Sequence, residues 1–202
     1  MRKSLALFNS NIAEARNLSG LYAYLSHSIS VPNAFDDLLR SQIVYSVSAF
    51  DKLIHDLIRN GMVEIFLGKR TATAKYLSES IPLQIHAEII SATIPPKEHI
   101  FEQAIFQKLK VVSYQDPDKV AEGLSYIWGE QYKWQKIASG MTLNDKVAKQ
   151  TLKLIADKRN AIVHEADIDP TTNAKFPTSQ TETDNIVNFL DNCGNTIAGL
   201  VI

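Results

Sequence analysis

Hydrophobic positions recur at helical spacing along most of the chain, and no stretch alternates as a strand would. Leu7, Ile12, Ala15, Leu18, Tyr22 and Leu25 predict a helix over 5–28. Pro32 and Asn33 punctuate it, with Asn33 placed to cap the next helix. That helix is predicted over 34–67, with a candidate break at Asn60-Gly61. Its apolar arc is wide: Phe35, Leu39, Ile43, Phe50, Leu53 and Leu57 on one side, Val44, Val47, Ile54 and Ile58 beside them. So wide an arc belongs to a helix central to a bundle. Residues 68–96 are less regular, with short helices predicted at 71–77 and 82–92. A further helix runs from Pro95-Pro96 to about Val112. Asp116-Pro117-Asp118 starts another, and a helix over 131–138 carries Tyr132 and Trp134, which read as core or interface aromatics.

The penultimate pattern, 142–165, opens at Thr142-Leu-Asn-Asp145, a capping-box-like start with Asp in the usual Glu position. Ala148, Leu152, Ile155, Ile162 and Val163 make its apolar stripe, and Arg159 falls in the middle of it. An arginine is seldom buried unless paired. Asp51 is likewise a charge among apolar neighbours, so an Asp51–Arg159 ion pair is expected. Asn160 and His164, four residues apart, share the adjacent face with Lys146, Lys149 and Lys153. Arg159 and His164 are separated by about 140° around a helix, so they cannot easily share one face. Beyond Glu165 a polar loop precedes a last helix, capped by Ser179 or Thr181. The fold class is therefore all-α, a helical bundle. Residues 1–202 read as one domain, with 68–115 as a helical insertion.

Composition narrows the function. The formal charge is −1, from 21 basic and 22 acidic residues, so nucleic-acid contact requires a local basic patch rather than the overall field. The single cysteine, Cys193, excludes an internal disulfide and a cysteine-based zinc site. No apolar run is long enough to span a bilayer. The basic-then-apolar start is interrupted at Asn9, Ser10 and Asn11, too early for a signal peptide. A cytoplasmic protein without a cofactor is the expectation. Glu165, Asp167 and Asp169 beside His164 invite a metal site, but carboxylates on a loop with one histidine make a poor preformed one.

The residues Arg159-Asn160-x-x-x-His164, within Arg-Asn-Ala-Ile-Val-His-Glu-Ala-Asp, resemble the signature of the HEPN superfamily (higher eukaryotes and prokaryotes nucleotide-binding). With Ser48-Ala-Phe-Asp-Lys-Leu-Ile-His55 upstream, the chain looks most like the RiboL-PSP-HEPN branch. The resemblance implies a HEPN-like bundle and a metal-independent endoribonuclease of the kind used in toxin–antitoxin and antiviral systems. It implies Arg159 and His164 as the catalytic pair, in a site completed across a homodimer. RNA is then the substrate and an antitoxin protein a further partner.

The residue types suit that chemistry. Histidine titrates near neutrality and serves as base or acid; arginine keeps its charge and grips phosphate oxygens with parallel donors. Asn160 is placed to orient the imidazole or bind a phosphate oxygen. Asp51 and His55 are supporting candidates, and Lys146, Lys149 and Lys153 are candidates for the RNA backbone. Plainer readings stand beside these. Arg159 could be a structural ion-pair residue, His164 a helix-end residue favoured by the macrodipole, and His55 a satisfied helix histidine. The lysines could form a solvated face. A non-catalytic HEPN-like module that binds RNA, nucleotides or a partner is the main alternative, and a structural dimerisation domain a third.

Overall fold

The computed structural model describes residues 1–29 and 35–202, and among these it is all-α. The proposed cap at Asn33 lies outside the described residues. The first helix, α1 (Arg2–Ser28), packs along α2 (Asp36–Phe66), which is the centre of the molecule. Leu39, Ile43, Phe50, Leu53, Ile54, Leu57 and Ile58 are all at most 1% exposed, so both sides of the wide arc are covered. The last helix, α9 (Gln180–Val201), lies against α1 and α2. The candidate break at Asn60-Gly61 does not form. Asn60 donates a side-chain hydrogen bond to Ser4 Oγ (2.9 Å), and Gly61 admits Ile127 against the helix. A β-carbon there would stand 2.6 Å from Ile127 Cγ2, so glycine serves close packing rather than a bend.

The 68–115 block holds α3 (Ala74–Leu77), α4 (Leu83–Ser91) and α5 (Lys97–Leu109). Phe101, Ile105 and Leu109 seat α5 on α2, whereas α4 buries no residue and touches chiefly α5. Asp116 caps α6 (Pro117–Leu124) by accepting the amides of Asp118 and Lys119. In α7 (Lys133–Gly140), Trp134 is a core residue whose Nε1 donates to Pro117 O (2.7 Å), while Tyr132 just before it is exposed.

The helix with the signature, α8 (Asp145–His164), packs on α2, α6 and α7. Its cap is Asn144, whose Oδ1 accepts Lys146 N (2.9 Å); Thr142, expected there, has φ 57 and lies outside the helix. At the other end, Glu165 and Asp167 both donate their amides to Ala161 O, with Ala166 and Asp167 in the left-handed region. The following loop is a folded turn, in which Phe176 N donates to Asp167 O, Asp169 N to Ala174 O, and Ile168 pairs with Lys175 as an isolated bridge. Ser179 then caps α9 by accepting Glu182 N.

This turn is tied to the start of α2 by the most buried ion pair in the molecule's described part. Arg40 Nε donates to Asp167 Oδ2 at 2.8 Å, with side chains 6% and 1% exposed. Arg40 Nη2 also donates to Phe176 O (2.6 Å), and Lys158 Nζ reaches Asp167 Oδ1 at 3.3 Å. Removing one partner of a buried pair strands the other. Asp167→Ala is expected to lower unfolding free energy by about 3 kcal/mol in urea titration, partly through left-handed strain at a residue with a β-carbon. Asp167→Asn tolerates that backbone and still accepts a hydrogen bond, so its loss should be clearly smaller; equal losses would show that the contact geometry is unimportant.

Candidate functional site at the end of α8

The two signature side chains leave α8 in different directions, as the angle between them requires. Arg159 lies half-buried against the body of the protein, and His164, the last residue of the helix, is exposed. The Arg159 Nε is buried without a hydrogen-bond partner, and Nη1 donates to Asn160 Oδ1 at 3.1 Å. Asn160 therefore steadies the guanidinium, rather than the imidazole for which the sequence also suited it. The imidazole of His164 makes no hydrogen bond within the described residues.

The expected Asp51–Arg159 ion pair does not form. Asp51 Oδ1 instead accepts the backbone amide of Tyr114 (2.5 Å), and Oδ2 lies 3.6 Å from His55 Nε2. Arg159 acts on Asp51 only as a nearby charge. Burial pushes the Asp51 carboxyl above its ordinary range, opposed first by the Tyr114 hydrogen bond and then by the charges of His55 and Arg159. His55 is held on three sides: Nε2 donates to Val112 O (3.0 Å), Asp51 stands one turn back, and the Tyr114 ring meets it edge-on at 4.6 Å. That surrounding fits a satisfied histidine that braces Asp51. Two of the three carboxylates near His164 are also engaged. Asp167 is taken by Arg40 and Lys158, and Asp169 accepts Thr171 N (2.8 Å), which holds its carboxyl below the usual range. Among the described residues no three His, Cys, Asp or Glu side chains converge as a metal cluster.

The lysine ridge is only partly available. Lys146 and Lys153 are exposed, but Lys149 pairs with Asp118 at 3.3 Å. Lys146 lies about 27 Å along the helix from His164 and Lys153 about 16 Å. Beside this ridge the outer face of α8 carries Val147 and Leu154, 50% and 60% exposed and seven residues apart. They escape a reading that follows the main stripe, although their spacing alone places them on one line.

The sequence model of the RiboL-PSP-HEPN family matches residues 9–201. The chain belongs to that family. The match spans α2 to α9 and most of α1, and membership suggests a nuclease or RNA-related function and dimer formation. No curated protein and no solved structure matches it. No helix among the described residues of this HEPN protein is long and apolar enough to cross a membrane.

The raised Asp51 carboxyl has a measurable consequence. The folded protein holds this proton more tightly than the unfolded chain, so a stabilising contribution is present at low pH and is lost as pH rises through the raised titration. Asp51→Asn cannot ionise and lacks this dependence. Melting temperatures of both proteins, measured from about pH 7.5 to about pH 4, should show wild type gaining relative to Asp51→Asn as pH falls. A pH-independent difference would mean that the carboxyl is not desolvated.

Proposed function

We propose that this HEPN protein is a metal-independent endoribonuclease whose site is formed by Arg159, Asn160 and His164 from two copies of the chain. The observation that carries the reading is the state of Arg159. It is a half-buried guanidinium with an unpartnered Nε, no carboxylate paired with it among the described residues, and only a neutral amide beside it. A cation partly withdrawn from water, with no carboxylate bonded to it, favours an anion, and a phosphate oxygen pair matches its donors.

His164 supplies the proton transfers. One imidazole takes the proton from a ribose 2′-OH as O2′ bonds to phosphorus. The bond from phosphorus to O5′ breaks, and a protonated imidazole gives its proton to the leaving oxygen. The products are a 2′,3′-cyclic phosphate and a 5′-hydroxyl end. Arg159 steadies the negative charge at phosphorus during the exchange. Two His164 side chains facing each other across a two-fold axis provide base and acid at once. The exposed Val147 and Leu154 on the same helix support that pairing, because single large apolar side chains repeated on one line offer a seam for a second α8. Asp51 and His55 support the site from below, and Lys146 and Lys153 extend it as RNA-backbone contacts. A toxin or antiviral role, opposed by an antitoxin protein in the cytoplasm, is the setting in which such an activity is useful.

Purified protein is expected to cut single-stranded RNA in EDTA, to leave cyclic phosphate ends, and to spare DNA of the same sequence. His164→Ala, at an exposed position, should keep the wild-type melting temperature and lose at least about a hundredfold in rate, the scale of one acid–base group. Arg159→Gln should lose cutting as well. Retained cutting in His164→Ala rejects this site, and RNA binding by wild type without any cutting supports the non-catalytic module instead.

A further inference from the structure

A cleft is lined by Asp51 and His55, the residues expected to support the site. It has a volume of about 250 Å³ and lies between α2 and the end of α5. Asp51 stands at one end, where the charge of Arg159 reaches it, and Arg59 lies eight residues further along α2, about 12 Å away. The cleft thus begins where the cation of the proposed site leaves off. The 68–115 block, expected from sequence as an insertion, supplies its second wall.

That wall carries Phe106, which is 43% exposed, and Lys110, which is exposed and has no ion-pair partner among the described residues. The Arg59 guanidinium stands 5.9 Å from the centre of the Phe106 ring. Arg59 Nη2 and Lys52 Nζ share the single carboxylate of Asp56, each at 3.0 Å. Arg59 Nε approaches Glu102 Oε1 at 3.5 Å but makes no hydrogen bond and is buried. The walls hold three cations, Lys52, Arg59 and Lys110, with the carboxylates of Asp51 and Asp56 in the lining and Glu102 beside Arg59, so Lys110 is the cation without a carboxylate partner among the described residues. An exposed aromatic face stands among them. A flat ring beside a planar guanidinium, with lysines at the rim, is the combination that binds an unstacked base and its phosphate.

We infer that the α2–α5 cleft is a subsite for one nucleotide of single-stranded RNA flanking the bond to be cut, its base stacked on Phe106 and its phosphate held by Lys110 and Lys52. The inference rests on the reading of the protein as a ribonuclease for the role of the subsite, but its binding chemistry is measurable separately. A base in a duplex cannot present its face to Phe106, so the subsite selects unpaired RNA.

The test uses the full chain and a fluorescent, fully 2′-O-methylated single-stranded RNA, which has no free 2′-OH to attack. Binding is followed by anisotropy over a range of salt concentrations. Phe106→Ala should weaken binding roughly tenfold and leave the salt slope unchanged, as loss of one stacked base does. Lys110→Gln should reduce the salt slope by about one phosphate contact. A double-stranded version should bind Phe106→Ala and wild type alike. Wild-type affinity and slope in both variants would overturn the subsite, as would failure of the wild type to bind the single strand. Wild-type binding that responds to both substitutions, in a protein that cuts no RNA, sustains the subsite and rejects the nuclease. Cutting abolished by His164→Ala but indifferent to Phe106→Ala and Lys110→Gln does the reverse.

Discussion

The burial of α2 on nearly its whole circumference is the constraint from which the rest follows. A helix with so broad an apolar surface must be enclosed, and α1, α9, α5, α6 and α8 each cover part of it. Most elements that bear on the candidate site are therefore placed by their contact with α2, and α8 is held by α6 and α7 as well. Arg40 near the start of α2 meets Asp167 just past the end of α8, and Asp51 farther along lies near Arg159, so the two helices run in opposite directions. Several polar residues on α2 are partnered within this enclosure, some by another element and Asp56 by Lys52 and Arg59 of the same helix, whereas the buried side chains of Gln42 and Ser46 have no hydrogen-bond partner among the described residues. Asp51 has the amide of Tyr114, His55 the carbonyl of Val112, and Asp56 two cations.

Arg159 is the exception that gives the site its character. Its neighbours on α8 are apolar and packed on α2, and the acid closest in chemistry to a partner is engaged by a backbone amide. The half-buried guanidinium is left with no carboxylate bonded to it among the described residues, a state that raises the benefit of receiving an anion.

Much of the architecture was legible in the chain. The 3.6-residue repeats located the long helices, the wide arc of α2 identified the central one, and the Arg-Asn-x-x-x-His spacing pointed to the family and to the end of α8. What escaped depends on contacts between residues far apart in sequence. Asp51 and Arg159 each looked like a charge needing the other, but Tyr114, supplied by the loop after α5, reaches Asp51 first, and no local pattern announces that. Arg40 sits where an ordinary surface residue of a first helical turn would, and its burial depends on a loop 127 positions away. Asn60-Gly61 reads as a break on propensity, but the space at Gly61 is occupied by Ile127, so packing overrides the local tendency. The Thr142 start failed for a smaller reason: Asn144 competes for the same role two residues later and wins.

The double acceptance at Ala161 O, together with the ion pair that fastens the following turn to α2, means that the segment bearing His164 is immobilised when the chain folds. The conformational freedom of the backbone around His164 is thus given up once, on folding.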